Sequence, residues 1–210
     1  MSLLTGVTLL AVDTETTGFD VGKGERVVEV AYVRIADGRI AGEWSSFVHP
    51  GKPIPPEVTR IHGITDAMVA GAPPLAEVGR ALREACADLP LVFHNAPFDL
   101  PFLRVLFEEA GVPPLRNPIV DTLGLARELN GSSGNRLEEL SRKLALPKRQ
   151  SPVERPGASA VTDHGAIWDA YLTAQLLLRF AERWEAGRGP CSLAELAAAS
   201  MDKMRLTARR

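Results

Sequence analysis

The apolar positions come first in short runs and only later at helical spacing. Val7 to Val12 is almost wholly apolar, then meets acidic residues and Thr16-Thr17-Gly18, the pattern of a strand followed by a turn. Arg26 to Ile35 (RVVEVAYVRI) is rich in β-branched residues, Asp37-Gly38 carries the short-hairpin signal, and Ile40 to Val48 returns as the partner strand. The first third therefore reads as an antiparallel meander.

A proline-rich loop, Pro50 to Pro56, leads to Ile61-His62-Gly63-Ile64-Thr65, with Thr65 or Asp66 placed to cap a short helix. Leu75 to Ala87 has helical spacing, with Leu75, Val78, Ala81, Leu82 and Ala85 on one stripe. Leu91 to Phe93 is a short buried strand that breaks at His94-Asn95-Ala96-Pro97. Phe98 to Glu109 is helical and ends at Gly111 and Pro113. Ile119-Val120 is a brief strand, and Thr122 to Leu129 and Leu137 to Leu144 are helices. Pro147 to Asp163 holds three prolines and no periodicity, long for an ordered connection. Gly165 to Trp184 is strongly helical, with Ile167, Ala170, Tyr171, Ala174, Leu177 and Leu178 facing inward, and Leu193 to Ala199 is one more helix before a basic end. Strands first, then helices alternating with short strands, mean an α/β fold: a central mixed sheet, antiparallel meander first and parallel strands after, flanked by helices. One domain over 1–186, with 187–210 as a C-terminal helix and basic tail, is the economical division.

Length and composition agree with this reading. The 210 residues, 45% hydrophobic and 24% charged, suit a globular domain with a real core and exclude a disordered or fibrous chain. No window approaches the roughly 18 consecutive apolar residues of a membrane span. The opening MSLLTGVTLLAVD lacks a basic leader and runs into Asp13, so it reads as a strand and not as a signal peptide. Cys86 and Cys191 cannot build a disulfide framework or a zinc site alone, which points to a reducing, cytoplasmic setting. A formal net charge of −2 argues against holding nucleic acid by bulk electrostatics, but leaves room for local neutralisation of phosphate by metal ions. Basic residues gather in 136–155 and in the last ten residues, as solvated faces or as phosphate-tracking ones.

The candidate chemistry lies in acids. Asp13 and Glu15, two apart on a strand, project from one face, where their charges repel unless a cation lies between them. Hard oxygen ligands of this kind suit Mg²⁺ or Mn²⁺. Solvated strand ends often carry such pairs, so the pair needs company. Asp99 lies about one turn into the helix that follows Leu91 to Phe93, near the strand-end crevice where open α/β sheets bind ligands. Asp169 sits between Trp168 and Ala170 in an apolar helix, where an unpaired charge is expensive. His164 precedes it by five residues. Glu29, in the middle of the second strand, has no role that the sequence discloses.

Taken in order, these residues resemble the DnaQ-like DEDDh 3′–5′ exonucleases of the ribonuclease H-like fold, over nearly the whole domain. Val12-Asp13-Thr14-Glu15-Thr16-Thr17-Gly18 resembles that family's first motif, His94-Asn95-Ala96-Pro97-Phe98-Asp99 its second, and His164-Gly165-Ala166-Ile167-Trp168-Asp169 its third. Ile61 to Thr65 and Asp121-Thr122 match lesser features. The epsilon proofreading subunit of DNA polymerase III is a member, so a DNA polymerase is an implied partner, although the chain has only about two dozen residues after Trp184 and no evident clamp-binding motif.

The resemblance implies phosphodiester hydrolysis from the 3′ end of single-stranded or frayed DNA, releasing nucleoside 5′-monophosphates with two divalent ions, Mg²⁺ or Mn²⁺. Asp13 would bridge the two ions, Glu15, Asp99 and Asp169 would complete their shells, and His164 would be the general base. Thr16, Thr17 and Phe19 would hold the terminal sugar and base, with Asn95 and Phe98 lining the same pocket; core packing is as good a reading for Phe98. His62 would touch the substrate backbone or, equally, structure its own loop. The 147–163 segment would carry His164 into place as a lid, with Lys148, Arg149 and Arg155 reaching upstream phosphates. Two alternatives stay open: an RNA exonuclease similar to ribonuclease T or oligoribonuclease, and a non-catalytic nucleic-acid or protein-binding module on the same fold. The oligomeric state is not legible.

Overall fold

A computed structural model of the chain describes residues 3–147, 149 and 165–207. Strand β1 (Thr8–Thr16) pairs antiparallel with β2 (Val27–Ala36), and β2 pairs antiparallel with β3 (Arg39–Phe47). On its other side β1 runs parallel to β4 (Leu91–Phe93), and β4 runs parallel to β5 (Ile119–Asp121), giving the order β3-β2-β1-β4-β5. The expected mixed sheet is present, meander first and parallel strands after. Eight helices accompany it among the described residues: α1 (Pro56–His62), α2 (Asp66–Val69), α3 (Leu75–Cys86), α4 (Ala96–Ala110), α5 (Thr122–Asn130), α6 (Leu137–Lys143), α7 (Ala166–Arg188) and α8 (Leu193–Thr207).

Strand alternation sorts β1 between two cores. Leu9 and Ala11, with Ala31, Val33 and Ile35 across from them on β2, pack beneath α7 together with α5, α6 and α8. Leu10, Val12, Val30, Leu91 and Phe93 face the other way, onto α3 and α4. Asp13 and Glu15 continue the odd-numbered register of Leu9 and Ala11, so the first acids emerge on the α7 face where the apolar layer ends. The pairing register slips between Glu15 and Thr16, a bulge of the kind that re-aims side chains beside functional sites.

Most elements begin and end within two residues of their sequence-based bounds; β1 and α7 each run four residues further, to Thr16 and Arg188. Helices α1 and α8 differ more. Helix α1 was not expected: it starts at Pro56, the last residue of the proline-rich loop, which occupies its first turn, where a missing N–H costs nothing, after an extended Pro55. Helix α8 runs on to Thr207 instead of stopping at Ala199, because Met201 to Thr207 has no breaker even though its apolar spacing fades. It packs on α5 and β5: Leu196 and Ser200 are buried, and the Ser200 hydroxyl accepts from the Asp121 N–H at 3.0 Å.

Helix α5 meets α8 through Gly124. A Cβ there would stand 1.9 Å from the Ser200 carbonyl oxygen, so backbone packs directly against the glycine. Gly124→Ala is therefore expected to destabilise despite the better helix propensity of alanine. Overpacking against backbone costs about 1–3 kcal/mol, which corresponds to a drop of roughly 2–10 °C in melting temperature for a chain of this size, readable by thermal melt. A rise in melting temperature would show that α8 does not sit this close to α5.

Candidate active site

Three carboxylates converge at the end of β1. Asp13, Glu15 and Asp169 each offer an oxygen, and the three oxygens lie within 4.8 Å of one another. The first two come from one strand face. The third comes from the first turn of α7, which lies across that face. All three side chains are partly buried, and Asp13 shows what the gathering costs. Its carboxyl is held well above the ordinary carboxylate range, first by burial and then by the charges of Asp169, Asp99, Glu15 and Glu29.

Asp99 approaches from the opposite face. It is buried in the first turn of α4, and its Oδ1 accepts from both the N–H (3.1 Å) and the hydroxyl (2.7 Å) of Thr14. It is near enough to raise Asp13 but is not one of the three oxygens that cluster. Burial lifts its own carboxyl to about 7, against the pull of the two Thr14 bonds and with a further push from Asp121. Thus the structure brings Asp13, Glu15 and Asp169 together and seats Asp99 beside them on Thr14. His164 lies outside the described residues, as does the 147–163 segment apart from Pro147 and Arg149; Arg149 is paired with Glu43 of β3.

The residues expected at the terminal nucleotide surround the same strand end. Thr16 and Thr17 are buried, and both hydroxyls serve the turn: Thr16 donates to the Gly18 carbonyl at 2.6 Å, and Thr17 donates to Glu25 while accepting from the Arg26 N–H. Phe19, by contrast, is 72% exposed, with its ring 6.5 Å from that of half-buried Phe98, which in turn lies 5.4 Å from Phe102. Phe98 therefore packs on the core and presents one edge toward the turn. Asn95 is exposed in a left-handed conformation (φ 83°) at the start of α4. His62 is buried. Its Nδ1 accepts from the Ile64 N–H at 3.0 Å, which leaves the proton on Nε2, 3.3 Å from the Thr16 carbonyl. These contacts tie the His62 loop to the end of β1. Its neighbour Ile61 is 61% exposed.

Glu29 is the acid whose place the sequence did not disclose. It stands directly opposite Glu15 across the β1–β2 pair, only 2% exposed, and its Oε2 accepts from the Ala166 N–H at 3.1 Å. A carboxylate at a helix N-terminus meets both unsatisfied N–H groups and the positive end of the dipole. The signal was available: one acid inside a β-branched run must be buried, and a buried charge needs a partner.

A single alignment of this chain with a family model for exonucleases covers residues 10–177. A DNA polymerase III subunit epsilon-like protein of Rhodobacter capsulatus is 41% identical over 176 residues, 82% of this chain and 23% of the relative. A PolC-type DNA polymerase III of Bacillus cereus is 35% identical over 178 residues, 84% of this chain and 12% of the relative. The chain thus spans less than a quarter of the length of these curated relatives. Among solved structures, exonuclease X in complex with 5′ overhanging duplex DNA superimposes with a TM-score of 0.66 at 28% identity, covering 91% of this chain and 99% of that one. Exonuclease I of E. coli in complex with a dT13 oligonucleotide (19% identity, TM-score 0.70, 86% of this chain and 42% of that one) shares the ribonuclease H-like fold. With a family match that runs from β1 to the middle of α7, the chain belongs to the exonuclease family.

Proposed function

We propose that the chain is a metal-dependent DEDDh exonuclease that removes nucleoside 5′-monophosphates from the 3′ end of DNA, in a proofreading or trimming role in the cytoplasm. The observation that carries this reading is the oxygen trio of Asp13, Glu15 and Asp169. Three carboxylates within one ion's reach, with Asp13 already forced toward its protonated form, are a donor set that a hard divalent cation would relieve. Asp13, Glu15, Asp99 and Asp169 would hold two divalent ions there, Mg²⁺ or Mn²⁺, with Asp99 reaching them from the opposite side of the sheet. Bound ions would supply the positive charge that offsets the phosphate and the departing 3′ oxygen.

The protein's own groups supply the rest. His164, one residue ahead of Gly165 in the chain, takes the proton of the attacking water; an imidazole with an ordinary pKa suits that task near neutrality. The turn built by Thr16 and Thr17 presents the strand end to the terminal nucleotide, propped from behind by His62. Phe19, exposed at that turn, offers an apolar face on which a terminal base stacks without regard to sequence, with Phe98 and Asn95 closing the pocket. The names of the relatives, a DNA polymerase III subunit epsilon-like protein and PolC-type polymerases, support DNA over RNA and a DNA polymerase as partner.

The direct test is digestion of matched 3′-labelled DNA and RNA oligonucleotides with Mg²⁺ or Mn²⁺. Release of deoxynucleoside 5′-monophosphates, lost on chelation, is expected; faster loss of the RNA would move the assignment to an exoribonuclease, and stoichiometric binding without turnover to a binding module. His164→Ala is expected to lower kcat by roughly 10²–10⁴ while Mn²⁺ still binds. A variant with wild-type turnover would remove His164 from the base role.

A second test uses pH. A carboxyl raised in the folded state, as Asp99 is to about 7, favours folding below the unfolded value near 4 and withdraws that support as pH climbs through 7. A bound cation reverses the penalty, so the gain in melting temperature on adding Mn²⁺ should grow from pH 5 to pH 8. His94, whose imidazole burial pushes down to about 4, acts in the opposite direction but equally with and without metal. A pH-independent gain would mean that the ion does not bind these acids.

A further inference from the structure

Asp121 closes β5 and is fully buried, and its carboxylate reaches the starts of two helices at once. Oδ1 accepts from the N–H groups of Asn95 (3.2 Å), Leu123 (2.8 Å) and Gly124 (3.2 Å), and Oδ2 accepts from that of Ala96 (2.8 Å). Leu123 and Gly124 belong to its own helix α5, so those two bonds are an ordinary N-cap. Asn95 and Ala96 begin α4, the helix that follows the neighbouring parallel strand β4. One side chain therefore spans the crevice between two adjacent strand–helix turns. It accepts from both of these N–H groups, and the bond to Asn95 fixes that residue at φ 83°, a left-handed conformation uncommon outside glycine and better tolerated by asparagine than by most residues.

Asp99 lies three residues beyond Ala96, in the turn that these bonds anchor, and its Oδ1 spans to Thr14 on β1. Its position thus has two fixed points: Thr14 in front and Asp121 behind. Behind Asp121 stands α8. The Ser200 hydroxyl accepts from the Asp121 N–H at 3.0 Å and donates to the Ala197 carbonyl at 2.7 Å, so the backbone that carries the carboxylate is held by a helix beyond the residues of the family match.

We infer that Asp121 is a positioning residue for Asp99, and that α8, through Ser200, is a working part of the nuclease site and not an appendage to it. This rests on the exonuclease reading above. A merely structural N-cap would affect α5 and overall stability; a positioning residue also changes how well the acids hold a cation, because the start of α4 loses its register against β1.

The test uses the full chain as wild type, Asp121→Asn and Ser200→Ala, with Mn²⁺ titrated by paramagnetic resonance of the free ion and turnover measured on single-stranded DNA. An asparagine side chain keeps one acceptor oxygen but turns an amide N–H₂ toward donors, so part of the α4 anchorage must go. Asp121→Asn is expected to lose roughly 10–100-fold in Mn²⁺ affinity or in kcat, the usual effect of removing an outer-shell partner, with KM for DNA little changed. Ser200→Ala should move both in the same direction by less, since it removes one neutral bond and not a set of charge-assisted ones. Variants that melt lower yet keep wild-type Mn²⁺ affinity and kcat would overturn the inference. Should Asp121→Asn fail to fold, Ser200→Ala decides by the same two measurements. Wild type that neither binds Mn²⁺ nor degrades DNA would instead sink the exonuclease reading.

Discussion

Gathering like charges at one spot costs free energy, and the arrangement of this fold is organised around that cost. Asp13, Glu15 and Asp169 are brought within one ion's reach by a strand that cannot rotate its side chains away from their face and by a helix laid across it. Burial makes the repulsion larger, as the raised carboxyl of Asp13 records. The stability that tolerates it comes from the two apolar layers on either side of the sheet.

The other buried acids are handled differently. Asp99 is met by Thr14, Glu29 by the first N–H of α7, and Asp121 by four N–H groups from two helices. Each of these carboxylates is answered by donors within the protein, and each joins two elements that are distant in sequence. The site thus joins a tight trio of acids to surrounding acids whose charge also fastens elements together. His62 does similar work without charge, linking its loop to the strand end through the Thr16 carbonyl.

Much of this was legible in the residue order. The apolar and β-branched runs gave the meander with its hairpin at Asp37-Gly38, the Gly111 and Pro113 stop marked the end of α4, and helical spacing located α3 and α7, whose apolar faces meet the rest of the fold. The i, i+2 spacing of Asp13 and Glu15 placed them on one face without further knowledge. What could not be read was tertiary. Whether Asp99 turns toward the trio or toward Thr14 depends on the height of α4 above β1, which no local pattern encodes. The use of Glu29 required knowing that α7 starts above β2. Helix α1 was hidden because prolines mark a helix start as readily as a loop, and the far half of α8 because past Ser200 it meets α5 largely through polar groups, such as the Lys203–Glu128 pair, that carry no apolar spacing.

The C-terminal helix also settles the margins of the sheet. At β5 the outward N–H of Asp121 is taken by a hydroxyl, and the strand lies under α8, so that border is sealed against any additional strand. The opposite border is β3, largely exposed, kinked where its pairing slips beside Arg34, and carrying charge at Arg39 and Glu43. Growth of the sheet by a strand from another molecule would have to begin there, against a bent and charged rim of the sort that discourages such pairing.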